Sequence, residues 1–110
     1  MPYSARVLAI VETRVFSRKA DSLLSDEERG EIAAFIAQNP TAGSVIRGSG
    51  GVRKIRWARA GSGKSSGARS IYYNQLLHEE IWLLTLYAKT ERETVSAREL
   101  SIIKEAIERG

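Results

Sequence analysis

Three strand-like runs follow one another in the second half of the chain, and they constrain its fold most. They cover residues 52–59, 68–77 and 80–89, and each is rich in β-branched or aromatic residues. The last two runs are separated only by a tight turn near His78 and Glu79, which is typical of a hairpin. Consecutive strands with no helix between them predict an antiparallel meander.

Helical patterns lie on either side of this meander. A short buried strand is predicted at residues 7–11, and apolar residues from Phe16 onward then recur at helical spacing. Capping-box patterns begin at Ser25 and at Ser96, and each predicts the start of a further helix. The predicted order is β-α-α-β-β-β-α: an α+β fold in which a small antiparallel sheet is flanked by an N-terminal helix pair and a C-terminal helix. Residues 1–110 are expected to form one domain.

Alternation along the strands assigns side chains to the two faces of the sheet. Ile55 and Trp57 are predicted to face the core, while Lys54 and Arg56 face the other way. On the last strand, alternation places Trp82, Leu84 and Leu86 on one face of the sheet. It places Thr85, Tyr87 and Lys89 on the other face.

Positive charge is concentrated in the middle of the chain. The formal net charge is +4, and no Asp or Glu occurs from residue 32 to residue 78. Seven basic residues lie in this stretch: Arg47, Arg53, Lys54, Arg56, Arg59, Lys64 and Arg69. A polyanion, most simply a nucleic acid, is the natural partner of such a segment.

The composition excludes several kinds of site. The absence of cysteine excludes disulfides, iron–sulfur clusters, thiolate zinc sites and cysteine nucleophiles, and it is consistent with a reducing cytoplasm. The single histidine, His78, disfavours a Ser-His-Asp triad and is interpreted as an exposed turn residue. No apolar run is long enough to cross a membrane. The basic segment contains no carboxylate cluster, so we expect neither a catalytic metal nor another cofactor.

A glycine-rich segment at residues 58–65 matches a relaxed phosphate-binding loop pattern. Such a loop needs a helix after it, so that backbone N–H groups and the helix dipole meet the phosphates. A strand follows here instead. We therefore interpret the segment as a flexible hairpin loop from which Lys64 can reach a phosphate backbone.

Cations and tyrosines on an open sheet face suit single-stranded RNA, because phosphates bind Lys and Arg while bases stack on aromatic rings. RNA needs no protein nucleophile, since its 2′-OH can attack the adjacent phosphate once the protein aligns it and stabilises the added negative charge. Lys54 and Arg56, with Arg69, Tyr87 and Lys89 beside them, are the candidate surface. A solvated sheet face with ordinary surface cations is the alternative interpretation.

Three motifs, in this order, resemble the HigB branch of the RelE-like toxins, the toxin halves of bacterial type II toxin–antitoxin modules. They are residues 50–57 (GGVRKIRW), 66–73 (SGARSIYY) and 82–89 (WLLTLYAK), and the resemblance covers nearly the whole chain. The resemblance implies a metal-independent endoribonuclease that cuts mRNA in the ribosomal A site by 2′-OH attack and so inhibits translation.

The resemblance also implies site residues. A basic position after the last strand falls within residues 89–92, where Thr90 interrupts the basic pair of better-studied members, and Ser96 stands where some members have a catalytic tyrosine. Tyr73 and Tyr87 are candidates to replace that tyrosine. The predicted catalytic residues are Lys54, Arg56, Arg69 and Lys89, and the predicted RNA-binding residues are Arg53, Arg59, Lys64, Tyr73, Tyr87 and Arg92.

An antitoxin partner follows from the same resemblance, usually a helix-turn-helix DNA-binding protein. A strongly basic site predicts an acidic inhibitory segment in that partner. Two other functions stay open at this point. One is that of the gyrase-poisoning relatives in the same superfamily, and the other is a non-catalytic RNA-binding module of the same fold.

Overall fold

The fold is built on a mixed β-sheet with helices on both faces. The computed structural model describes residues 8–57, 67–88, 91 and 95–110. These residues form, in chain order, β1 (Ala9–Glu12), α1 (Arg14–Leu23), α2 (Asp26–Gln38), β2 (Ser44–Val45), β3 (Arg53–Trp57), β4 (Ala68–Gln75), β5 (Glu80–Ala88) and α3 (Ala97–Arg109). A single turn of 3₁₀ helix, Leu76–His78, connects β4 to β5.

The strand order in the sheet is β1-β5-β4-β3-β2. Strands β3, β4 and β5 pair antiparallel, which confirms the predicted meander and the α+β class. Two strands at the edges of the sheet differ from the predicted antiparallel sheet, one in its direction and the other because it was not predicted. β1 pairs parallel with β5, and the two-residue β2 pairs with β3 at the other edge. Parallel pairing is possible for β1 because the helix pair carries the chain away before it returns to the sheet.

The sheet separates two apolar cores. The helix pair packs on one face, where the buried residues include Phe16, Ala20, Ile32, Ile36, Ile55, Tyr72, Leu83 and Leu86. Helix α3 packs on the other face, where Leu100 lies against Val52, Ile71 and Leu84. The molecule thus has three layers, and we call these two sides of the sheet the helix-pair face and the α3 face.

Local hydrogen bonds set where the helices begin. Ser25 caps α2 and Ser96 caps α3, each in a reciprocal capping box with the glutamate three residues later, as the sequence predicted. The Thr13 side chain caps α1 by accepting from the Phe16 backbone N–H at 3.0 Å. Caps of this kind stabilise a helix by about 1 kcal/mol each. No described helix has the length and apolarity needed to cross a membrane.

A β-bulge in β5 overturns the strict alternation predicted for that strand. Ile71 pairs with Thr85, but the next residue, Tyr72, pairs with Leu83, so Leu84 is the extra residue. Trp82 and Leu84 consequently pack on the α3 face, whereas Leu86 is buried against the helix pair. The prediction that these three side chains share one face was wrong, because one inserted residue reverses the two-residue period.

Tyr72 fastens the turn after α2 to the sheet. Its side chain is fully buried, and its hydroxyl donates to the Pro40 carbonyl at 2.9 Å and accepts from the Gly43 N–H at 3.0 Å. Gly43 has no room for a side chain, since an added Cβ would lie 2.8 Å from the Lys54 carbonyl oxygen. The neighbouring Tyr73 lies on the α3 face, so the two tyrosines occupy opposite faces of the sheet.

Glu12 joins the end of β1 to α2, and its removal should destabilise the fold. Its carboxylate accepts from Arg29 Nε at 3.0 Å and Nη2 at 2.6 Å, and from Ser17 Oγ at 2.7 Å. The hydrogen bond from Arg29 holds the pKa of Glu12 below its usual 4.5. We expect Glu12→Gln to lower the free energy of unfolding by about 1–3 kcal/mol at neutral pH, as for hydrogen bonds to a charged group.

The pH dependence of this effect has a definite sign. Because the folded-state pKa is lowered, the carboxylate stabilises the fold above its unfolded-state value, and the stabilisation is lost as the pH falls through the folded-state value. Urea unfolding at pH 7 and at about pH 3 should therefore show a smaller difference between the parent and Glu12→Gln at the acidic pH. Glu31→Gln, which alters an exposed carboxylate on α2, is the control. An equal difference at both pH values would contradict the assignment.

Candidate active site

Two arginines and a tyrosine form one row across three strands. Arg56 on β3 pairs with Arg69 on β4, and Arg69 pairs in turn with Tyr87 on β5. Directly opposite residues project from the same face, with Cβ atoms about 5 Å apart. Lys54 lies two residues before Arg56 on the same strand and hence on the same face. We call Lys54, Arg56, Arg69 and Tyr87 the basic face.

Alternation along β3 turns these cations outward, as predicted. Ile55 is 8% exposed within the helix-pair core, and this burial directs its two neighbours to the α3 face. On that face, α3 packs through Leu100 on Val52, Ile71 and Leu84. The row of Arg56, Arg69 and Tyr87 lies farther along the strands, away from the β4–β5 turn. There Arg56 is exposed, and the other three members of the basic face are half-buried.

The two arginines of the row repel each other. Like charges directly opposite on neighbouring strands destabilise a sheet, by about 0.2–1 kcal/mol per pair. Within the described part of the chain, neither Arg56 nor Arg69 forms a salt bridge or a side-chain hydrogen bond. A bound phosphate would relieve this repulsion and would suit the forked donor geometry of guanidinium groups.

Arg53 lies apart from the basic face. It pairs with Tyr72 and therefore projects from the helix-pair face. Its guanidinium donates to the Gly43 carbonyl at 2.6 Å and to the Thr41 carbonyl at 3.2 Å. Arg53 thus holds the turn before β2. A contact between Arg53 and RNA would lie at the sheet edge on the helix-pair face, opposite to the basic face.

Tyr73 lies on the α3 face, but its hydroxyl is engaged by α3. The hydroxyl donates to Glu108 Oε2 at 2.5 Å, and the other oxygen of Glu108 lies 3.2 Å from Lys104 Nζ. Burial, together with the adjacent carboxylate, raises the pKa of Tyr73 to about 12. Hydrogen bonding from Tyr73 in turn lowers the pKa of Glu108. Tyr73 therefore fastens α3 to the sheet.

Four of the predicted site residues lie outside the described part of the chain: Lys89, Arg59, Lys64 and Arg92. Ser96, at the position where some RelE-like toxins carry a tyrosine, uses its hydroxyl to accept from the Glu99 N–H at 3.1 Å. Among the residues that the structure describes, no three His, Cys, Asp or Glu side chains come together as metal ligands.

The basic face has the chemical groups that a phosphodiester requires. Two guanidinium groups can stabilise charge that develops on the phosphate, an ammonium group lies on the same strand as one of them, and an aromatic ring ends the row. The sequence placed these residue types on one face, and the register brings Arg69 and Tyr87 into line with Arg56.

Comparison with protein families places nearly the whole chain in a known family. The family model described as the RelE toxin of the RelE/RelB toxin–antitoxin system matches residues 8–109. This match extends from the residue before β1 to the last residue of α3, so it covers every described helix and strand. The chain belongs to the RelE toxin family.

Proposed function

We propose that this toxin is a ribosome-dependent mRNA endonuclease of the HigB type, which cuts mRNA in the ribosomal A site and so inhibits translation. The observation that carries the proposal is the cross-strand row of Arg56, Arg69 and Tyr87, with Lys54 on the same face. This row combines paired guanidinium groups with an aromatic ring on one face of the sheet, where Arg56 is exposed and Arg69 and Tyr87 are half-buried. Single-stranded RNA offers the matching groups, a phosphate and an adjacent base.

The proposed reaction is internal transfer of the phosphodiester. The 2′-oxygen attacks the neighbouring phosphorus, the bond to the 5′-oxygen breaks, and a 2′,3′-cyclic phosphate and a 5′-hydroxyl result. One proton leaves the 2′-OH and one is taken up by the 5′-oxygen, so no metal or cofactor is consumed. Arg56 and Arg69 stabilise the charge on the non-bridging oxygens, since the two arginines are directly opposite on adjacent strands and each has forked guanidinium donors.

The proposed roles in proton transfer, base stacking and phosphate binding follow from where each residue lies along its strand or in the sequence. Lys54 is the proposed proton carrier beside Arg56, and Tyr87 is the proposed stacking platform for a base. Lys89, which follows β5, completes the proposed catalytic set. Arg59, Lys64 and Arg92 are proposed to contact RNA phosphates, and Arg53 is proposed to do so at the sheet edge on the helix-pair face, so binding should weaken steeply as salt increases.

The proposed regulator is a cognate antitoxin that covers the basic face. An acidic segment would neutralise the paired arginines, which lack carboxylate partners within the described residues. The same partner is proposed to carry a helix-turn-helix DNA-binding domain. The proposed site of action is the bacterial cytoplasm, where ribosomes are present.

The test is cleavage of a defined mRNA by purified, antitoxin-free protein with and without programmed ribosomes. We expect cuts within A-site codons, only when ribosomes are present, with cyclic phosphate at the new 3′ ends. Intact mRNA in both reactions, from protein that is folded by circular dichroism, would overturn the proposal. Gyrase inhibition by the same preparation would then indicate the gyrase-poisoning function, and RNA binding without cleavage would indicate a binding module.

The two tyrosines of the α3 face should differ in their importance for cleavage. Tyr73→Phe removes a hydroxyl that is engaged by Glu108 and whose pKa is raised to about 12, so we expect cleavage to change by less than about threefold. Tyr87→Ala removes the aromatic ring next to Arg69 and should reduce kcat/KM by about tenfold or more, the scale of one lost stacking contact. Single-turnover cleavage on programmed ribosomes measures both, and a larger loss in Tyr73→Phe would reverse the assignment.

A further inference from the structure

A cavity lies at the opposite end of the α3 face from the basic face. Its volume is about 570 Å³, and it is bounded by the end of β4, the start of β5 and the last turns of α3. Gln75, which lines it, is six residues along β4 from Arg69, or roughly 20 Å. Cavities of this size bind small molecules or a few side chains of a partner.

The side chain of Gln75 leaves a hydrogen-bond acceptor unused. Gln75 is 7% exposed, and among the described residues its Oε1 has no hydrogen-bond partner. It pairs with Glu80 across the β4–β5 hairpin, so both side chains project from the α3 face, where both line the cavity. Buried polar atoms are nearly always hydrogen-bonded, so the unpartnered oxygen of Gln75 at the cavity wall is available to a ligand that donates a hydrogen bond.

The chemistry of the cavity wall favours a cationic group with an apolar body. Glu80 accepts a hydrogen bond from Trp82 Nε1 at 3.0 Å, which holds the indole ring beside the carboxylate. Ile103 and Ile107 line the opposite wall on α3, and none of the described lining residues is Lys or Arg. A carboxylate, an aromatic ring and an amide oxygen together suit an alkylammonium or alkylguanidinium group.

Two exposed apolar residues are the sequence neighbours of lining residues. Leu77, next to His78 of the lining, is 97% exposed, and Ile102, next to Ile103 of the lining, is 55% exposed. Exposed apolar side chains beside a cavity suit a polypeptide segment, which can contact them as well as the cavity, better than an enclosed small molecule. The partner of the cavity also differs from that of the basic face, because an RNA phosphate would be repelled by the Glu80 carboxylate and no described lining residue is a Lys or Arg that could bind it.

We propose that this cavity is a docking site for a polypeptide segment in which apolar side chains alternate with Lys or Arg. A backbone or side-chain N–H of the segment donates to Gln75 Oε1, its cation pairs with Glu80, and an apolar side chain packs between Trp82 and the two isoleucines. The site would hold its partner at the opposite end of the α3 face from the nucleic-acid surface, so both surfaces could be occupied together.

Trp82 allows this binding to be observed directly. The chain has two tryptophans, and the other, Trp57, lies on the helix-pair side against Phe35 with ring centroids 5.9 Å apart. In a Trp57→Phe background, Trp82 emission therefore reports on the cavity alone. The probe is the peptide acetyl-Gly-Leu-Arg-Leu-Lys-Gly-amide, and its neutral match is acetyl-Gly-Leu-Gln-Leu-Gln-Gly-amide. We expect a saturable change in emission and affinity about fivefold or more higher for the cationic peptide.

Three further variants make the test specific to the site. Glu80→Gln keeps an acceptor for Trp82 but removes the charge, so it should lower the affinity for the cationic peptide to that for the neutral one. Glu105→Gln, an exposed carboxylate of α3 that does not line the cavity, should leave the affinity unchanged. Gln75→Leu should weaken both peptides while keeping or raising the melting temperature, because it removes the unpartnered amide.

Two results would overturn the proposal. One is the absence of a saturable change with either peptide, and the other is an equal loss of affinity in Glu80→Gln and Glu105→Gln, which would indicate only general charge attraction. The melting temperature of each variant shows whether it is folded. The cleavage assay on ribosomes tests the proposed function separately, because neither peptide result depends on cleavage.

Discussion

Replacing Arg69 with alanine should reduce ribosome-dependent cleavage by about 100- to 1,000-fold, the usual loss when one preorganised donor to a developing charge is removed. Arg69 is the central member of the row, with Arg56 on one side and Tyr87 on the other. A donor at this position lies between the guanidinium group of Arg56 and the proposed base-stacking ring of Tyr87, so we expect that neither neighbour can replace its contact with the phosphate. The measurement is single-turnover cleavage of mRNA in the A site of programmed ribosomes.

Two further readouts separate catalysis from plain binding. Affinity for ribosomes should fall by no more than about threefold, because many other cations share the contacts with RNA phosphates. The free energy of unfolding should stay the same or rise slightly, since removing Arg69 relieves its repulsion with Arg56. Arg18→Ala, an exposed arginine of α1 on the other side of the sheet, is the matched control. Equal losses of cleavage and of ribosome affinity in Arg69→Ala would instead favour a binding module.

Replacing Tyr72 with alanine should cause the largest loss of stability among single changes to the sheet, about 3–5 kcal/mol. Tyr72 is the largest fully buried side chain and packs in the core beneath the helix pair. Its removal leaves a cavity in that core and also frees the turn that precedes β2. A domain of this size has a total stability of about 5–15 kcal/mol, so urea unfolding should show a partly unfolded population in mild conditions.

Tyr72→Phe separates the contribution of the hydroxyl to the free energy of unfolding from that of the ring. Asn74 Nδ2 also donates to the Pro40 carbonyl, at 2.7 Å, so phenylalanine leaves only the Gly43 N–H without its partner. One such buried donor costs about 1–3 kcal/mol. Tyr73→Phe is the control, because the bond of its hydroxyl to Glu108 is exposed and should contribute no more than about 1 kcal/mol. A loss in Tyr72→Phe no greater than that in Tyr73→Phe would show that the hydroxyl does not hold the turn.

Much of the secondary structure could be predicted because its causes are local. The serine caps of α2 and α3 depend on hydrogen bonds within four residues, and both were predicted from the spacing of serine and glutamate. The alternation of Lys54, Ile55 and Arg56 is likewise local, and burial of the isoleucine confirms it. The strand β2 was missed because two residues between turns have no periodicity that a sequence can show.

The candidate site likewise has features with local causes, which could be predicted, and features that depend on strand pairing, which could not. The residue types and their placement on one side of β3 could be predicted, and so could the proximity of Arg69. The bulge at Leu84 could not, because it depends on which residues of β4 oppose β5, and this pairing is decided by packing on both faces at once. The commitment of the Tyr73 hydroxyl to Glu108 also joins residues distant in sequence, with nothing in either local pattern to indicate it.

By itself, the sequence determined the strands of the meander, the helix caps and the segregation of positive charge, because each follows from neighbouring residues. Only the tertiary structure decided that Arg56, Arg69 and Tyr87 stand in one row, that β1 pairs parallel with β5, and that Gln75 and Glu80 meet at a cavity under α3. These juxtapositions depend on strand register, which is selected by how the two cores fill on either side of the sheet.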